Sequence, residues 1–195
     1  MPNPNTGPFS PITPFAAGAG AAGALEAVSK LTLGVNTNPV DIVGFDNTAQ
    51  IWEIRFRLWM AVAASIQLRI RTGGSFETGF DYLYHVMNGR DNVTTYGAVA
   101  PGANDRIQVS AIVVGATEAR ATQGVIKIFD PGNTVSRKQI HMSIGMFDST
   151  NRFFRVSGWG VWDGGVGAID QLRFFSAQDF ASGSEFALFK QTDFA

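Results

Sequence analysis

The stretch Glu53-Ile54-Arg55-Phe56-Arg57-Leu58-Trp59-Met60 alternates without a break. Ile54, Phe56, Leu58 and Met60 fall on one side, and Glu53, Arg55, Arg57 and Trp59 on the other. A few residues on, Ile66, Leu68 and Ile70 alternate with Gln67, Arg69 and Arg71. Side chains of an extended chain point to opposite faces in turn, so a period of two places each apolar set on a single face. The two runs read as half-buried strands of one antiparallel hairpin. In that pairing Arg55, Arg57, Arg69 and Arg71 share the face turned away from the core. Four like charges on neighbouring strands repel unless something answers them. One reading makes the face an interface for an acidic neighbour or an anionic glycan. The favoured reading is that Glu53 and acids from other strands neutralise it.

The same period continues downstream. Asp105–Val114 reads as a strand with Ile107, Val109, Ala111 and Val113 on one face. Gly124–Phe129 reads as a shorter one, ended by the turn Asp130-Pro131-Gly132-Asn133. Ile140, Met142, Ile144 and Met146 alternate with Gln139, His141 and Ser143. Phe154 and Val156 start a further strand, followed by the glycine-rich run Gly158–Gly165. Leu172 and Phe174 mark another, and Phe186–Phe189 is entered through Ser182-Gly183-Ser184. About eight short strands with turn residues between them predict an all-β domain over residues 41–195, a single antiparallel sandwich or jelly roll.

Residues 1–40 are different in kind. Pro2, Pro4, Pro8, Pro11 and Pro14 fix φ and disfavour helix in the residue before each, which predicts an extended segment. Ala and Gly then dominate, and Ala21–Leu31 reads as a short helix with Leu25, Val28 and Leu31 on one face, weakened by Gly18, Gly20 and Gly23. Such an arm cannot form a core of its own. It is expected to dock on a partner, through Pro8, Phe9, Pro11, Pro14 and Phe15.

Composition limits the partners. The chain has 195 residues, 45% of them hydrophobic, and only 16% charged. About 25% is usual for soluble domains, so some surface is expected to be covered in an assembly. A net charge of -1 offers nothing to a phosphate backbone, so nucleic acid is not expected as a partner. There is no cysteine, which excludes a disulfide framework and a thiolate metal site. Phe15–Leu25 is too short to span a bilayer, and the first basic residue is Lys30, so neither membrane insertion nor a signal peptide is expected.

Motifs for chemistry are weak. Gly18-Ala19-Gly20-Ala21-Ala22-Gly23 spells G-x-G-x-x-G, but prolines precede it where a dinucleotide site needs a strand. His85 and His141, the chain's two histidines, are far apart in sequence, and no metal site or nucleophile elbow is read. Glu77, Asp81, Asp91, Asp105 and Glu118 are read as solvated loop charges rather than glycosidase carboxylates. No cofactor and no enzymatic activity are expected. Trp159 and Trp162, flanked by glycines and Asp163, read first as packing or interface aromatics and second as a sugar-stacking platform.

The last third carries a resemblance. Ala168-Ile169-Asp170-Gln171-Leu172 leads into Phe174-Phe175-Ser176, then Phe180-Ala181-Ser182-Gly183-Ser184-Glu185-Phe186-Ala187-Leu188-Phe189. This resembles the C-terminal end of bacteriophage virion proteins of the tail-fibre and appendage type, in which a strand of the form "aI..i.l" leads into "Ffa.GS.f.LyG". Gly124-Val125-Ile126-Lys127-Ile128-Phe129, and Arg137-Lys138 before the next strand, fit the same order. The pattern spans roughly residues 45–190, and departs at Phe189-Lys190, where Tyr-Gly is common. The resemblance implies a jelly-roll-like sandwich and a virion location, with manufacture in the host cytoplasm. It implies other virion proteins as partners and a homo-oligomer, a trimer above other states. It transfers no catalytic residue. A capsid decoration protein, a head fibre and a host-surface carbohydrate-binding module are the alternatives.

Overall fold

The computed structural model describes residues 24–79, 82–90, 97–99, 104–110, 112–165 and 167–192. The proposed docking residues Pro8 to Phe15 and the G-x-G-x-x-G run lie outside them, as do Asp81, Asp91 and Ala111. Among the described residues thirteen strands are formed: β1 (Glu26–Thr32), β2 (Val40–Val43), β3 (Ile51–Leu58), β4 (Gln67–Thr72), β5 (Ser75–Phe76), β6 (Tyr82–Arg90), β7 (Gly97–Val99), β8 (Ile107–Gln108), β9 (Thr122–Phe129), β10 (Lys138–Phe147), β11 (Phe153–Trp162), β12 (Ile169–Phe175) and β13 (Glu185–Gln191). Among the described residues the only helical turn is a 3-10 turn at Glu118–Arg120.

The strands form two antiparallel sheets packed as a sandwich. The large sheet runs β1-β13-β3-β9-β10-β11-β6-β7; the small one runs β2-β12-β4-β5, with β8 also paired to β4. Their inner faces supply the core. Trp52, Ile54, Phe56, Leu58, Ile126, Ile128, Ile140, Met142 and Ile144 come from the large sheet; Leu68, Ile70, Leu172 and Phe174 come from the small one. Phe174 of β12 lies 5.5 Å from Phe56 and 5.1 Å from Phe186, so one aromatic cluster ties the sheets together. The alternation read in the sequence is thus the alternation of the core.

The hairpin expected from β3 and β4 does not form. The two strands belong to different sheets. β3 is already hydrogen-bonded on both edges, to β13 and β9. β4 pairs with β12 on one edge and with β5 and β8 on the other. The connecting residues cross the end of the sandwich, where Met60 bridges Phe180 and Ala64 bridges Val114. Period two specifies a buried face but does not name the neighbouring strand.

The N-terminal helix expected over Ala21–Leu31 is also replaced. Glu26–Thr32 is a strand, antiparallel to β13, with a register shift between Ala27 and Ser29. Three glycines weaken the helix there, while Val28, Leu31 and Thr32 suit a pleated surface beside β13. The sandwich therefore includes residues from Glu26 onward, earlier than the boundary at residue 41. The strand expected at Asp105–Val114 shrinks to Ile107–Gln108, because Ser110 folds back on Ile66: its hydroxyl accepts from the Ile66 N–H at 2.7 Å. Val113 is exposed as a result.

The turn Ser182-Gly183-Ser184 has a clear physical role. Gly183 sits at φ +87°, and a Cβ there would lie 2.9 Å from the Trp59 ring. Only glycine meets both demands without strain. Ser184 is fully buried. Its hydroxyl accepts from the Trp59 N–H at 3.2 Å and lies 3.3 Å from the Trp59 carbonyl oxygen, to which it donates. Leu33 completes the clasp, donating to the Ser184 carbonyl at 2.9 Å and accepting from Gly183 N–H at 2.7 Å.

Candidate functional site

The four arginines singled out in the sequence do not share a face. Arg55 and Arg57 lie on the outside of the large sheet, and Arg69 and Arg71 on the outside of the small one, across the sandwich. Each has a carboxylate and an aromatic ring. Arg55 pairs with Glu53 at 2.6 Å and covers the Phe189 ring at 4.6 Å. Arg57 meets Glu118 at 3.0 Å and the Trp59 ring at 5.2 Å. Arg69 pairs with Asp105 and covers Phe175. Arg71 meets Asp170 at 2.6 Å and Phe76 at 5.9 Å. Arg173 adds a two-pronged pair with Asp41, both contacts at 2.7 Å, and lies 3.8 Å from the centre of the Phe76 ring. These arrangements answer the charge within the chain. They also engage two of the former carboxylate candidates, Asp105 and Glu118. A third, Glu77, accepts a short hydrogen bond from the Thr72 hydroxyl.

Trp159 and Trp162 are separated as well. Three residues apart on one strand, they point to opposite faces. Trp162 is 1% exposed in the core, whereas Trp159 is 54% exposed on the outside of the large sheet. They cannot form one platform.

Trp159 instead has two histidines beside it. In β10 its cross-strand partner is His141, and in β6 it is His85. The chain has only two histidines, and both flank this tryptophan. The His141 ring is 4.5 Å from the indole, and Phe129 stacks on the indole at 6.0 Å with 16° between planes. Directly opposite neighbours in an antiparallel sheet have Cβ atoms ~5 Å apart, so the row is rigidly spaced. Burial, then the nearby Lys127 ammonium, holds the His141 pKa below its ordinary 6.5, so the imidazole is neutral at pH 7.

A shallow groove of about 310 Å³ runs beside the indole, lined by Leu83, Tyr84, His85, Gln139, Trp159, Gly160 and Val161. Among the described residues its lining contains no Lys, Arg, Asp or Glu. Among the described residues, the side chains of His85, Gln139 and His141 make no hydrogen bond. Leu83, Met87 and Phe153 extend the exposed apolar surface along β6 and β11.

The sequence names His85 but gives no sign that it lies beside Trp159, because β6 does not read as a strand by its alternation. Tyr82, Tyr84 and Val86 face inward; Leu83, His85 and Met87 face outward. Both faces are largely apolar, so the alternation has little contrast. The signal was the run of Tyr, Leu, Val and Met itself, which suits a strand.

Among the described residues, no three or more His, Cys, Asp or Glu gather as metal ligands would. No helix there is long and apolar enough to cross a membrane. No protein-family model matches the chain, and no curated protein matches it significantly.

Proposed function

We propose that this chain is a non-enzymatic structural component of a bacteriophage particle, of the tail-fibre or appendage type. In this reading the segment ahead of β1 anchors it, and the jelly-roll-like sandwich projects and self-associates as a trimer. The observation that carries the reading is the open flank of the sandwich. β1 and β2 are the terminal strands of the two sheets, and residues of both line a cleft of about 220 Å³ with Phe186 and Leu188. Leu25, Val28, Leu31 and Val43 are exposed along this flank. Unpaired strand edges beside exposed apolar side chains offer ready contacts to another chain. β1, the first of the described strands, lies on this same flank. The low share of charged residues and the similarity of the Ser182-Gly183-Ser184 strand entry to tail-fibre proteins support the same reading.

Deleting residues 1–23 leaves β1 in place and tests the anchor. The truncated chain should fold with an unchanged circular-dichroism spectrum and fail to enter particles. Normal incorporation would refute the anchoring role. Imaging intact particles gives position and copy number. Few copies at the tail agree with the proposal; hundreds tiling the shell would make the chain a capsid decoration protein.

A further inference from the structure

The outer face of β6, β10 and β11 has no part in closing the sandwich, yet it is built with care. One indole lies open, with a histidine opposite it on each neighbouring strand. Among the described residues, His85, Gln139 and His141 around it keep their donors and acceptors unused. An imidazole offers one donor and one acceptor when neutral, and a Gln amide offers both. A flat apolar surface rimmed by uncommitted hydrogen-bonding groups matches a molecule with an apolar face and polar edges. A pyranose ring has that form: axial C–H bonds cover its faces and hydroxyls line its edge.

We propose that Trp159, with His85, Gln139 and His141, forms a binding site for uncharged sugar residues of a glycan. The indole stacks on the ring face, and the three polar side chains take the hydroxyls. Among the described residues the groove lining carries no ionic side chain, and Lys127, the cation across from His141, is held by Glu53 at 3.2 Å, so the site offers no uncommitted cation to a sialic or uronic acid carboxylate. Burial of an unpaired carboxylate is unfavourable, which selects neutral sugars. The dimensions agree. The groove of about 310 Å³ lies at the lower end of small-molecule sites, roughly 300–1,000 Å³. All three polar side chains and the indole stand on interior strands, so the site is formed before the ligand arrives. This site does not depend on the virion role, because binding of a free sugar is read in solution.

The test is a titration of the full chain with lactose, maltotriose, cellotriose and chitotriose, followed by Trp emission and by ligand-observed NMR. At least one sugar should give saturable binding. Trp159→Ala should weaken it tenfold or more, and Gln139→Ala and His85→Ala about threefold each. Arg155→Ala, on the same face but outside the groove, should leave it unchanged. Circular dichroism verifies folding; all these side chains are surface ones. No saturable response from any of the four sugars overturns the proposal, as does equal binding by Trp159→Ala. If Trp159→Ala instead reduces the sedimenting species to a smaller one and no sugar binds, the face is a contact between copies and the sugar site is refuted.

Discussion

The outer faces of the two sheets solve opposite problems. On the small sheet, Arg69, Arg71 and Arg173 are each held between a carboxylate and a ring: Asp105 with Phe175, Asp170 with Phe76, and Asp41 again with Phe76. On the large sheet around β11, Trp159 is open, and the polar groups beside it are uncommitted. Charge marked the first face in the sequence, yet that face is closed on itself. The patch around Trp159, apart from the paired Arg55 and Arg57 of the same sheet, is the one with chemistry to spare. A cation already paired within its own chain must break that pair to meet a ligand, so it adds little binding. An exposed indole beside unused donors gives up only water.

Several changes would break or sharpen this contrast. The largest effect should come from the core that both faces share. Phe174→Ala removes the ring between Phe56 and Phe186 and should cost about 3–5 kcal/mol, read as a lower urea midpoint. Next comes the clasp at the C-terminal strand entry. Ser184→Ala leaves the Trp59 N–H without its partner, the Trp59 carbonyl keeping the Ala181 N–H at 2.9 Å, and should cost about 1–3 kcal/mol. On the small sheet, Arg173→Met keeps the apolar stem over Phe76 and loses the Asp41 pair. A loss of about 1 kcal/mol, shrinking in high salt, is expected from a half-exposed ion pair. Trp159→Ala should be smallest, within about 0.5 kcal/mol, because the side chain is exposed. A large loss of stability there would show that the open face is a structural cover.

Protonation distinguishes the faces too. The folded pKa of His141 lies below its ordinary value, because burial and Lys127 disfavour the cation. Its contribution to stability is therefore complete above pH 6.5 and is lost as pH falls through the folded pKa. The His141 ring resonances in NMR should titrate below pH 6.5, and Trp159→Phe should alter that midpoint through the shared contact. A midpoint above 6.5 would contradict the partly buried position of this ring beside Lys127.

The clasp around Ser182-Gly183-Ser184 shows how far sequence reading went. The turn was legible because glycine and serine mark a strand entry, and the resemblance rested on the same residues. Its reason, a left-handed Gly183 pressed on Trp59, was not legible, because Trp59 is more than a hundred residues earlier. The arginine pairs show the same limit: Arg71 and Asp170, or Arg173 and Asp41, meet only because strands distant in sequence lie side by side in the small sheet.

The sequence by itself determined which residues are inside. Ile54, Phe56 and Leu58, then Ile140, Met142, Ile144 and Met146, and Leu172 with Phe174, were all legible as buried rows, because a pleated strand turns alternate side chains to opposite faces. Only the tertiary structure decided which strands lie side by side. It sent β3 and β4 to different sheets, drew Glu26–Thr32 into the large one, and set His85 and His141 on either side of Trp159. Alternation is a local property with no address in it, whereas strand pairing is settled by how two complete apolar faces fill one core.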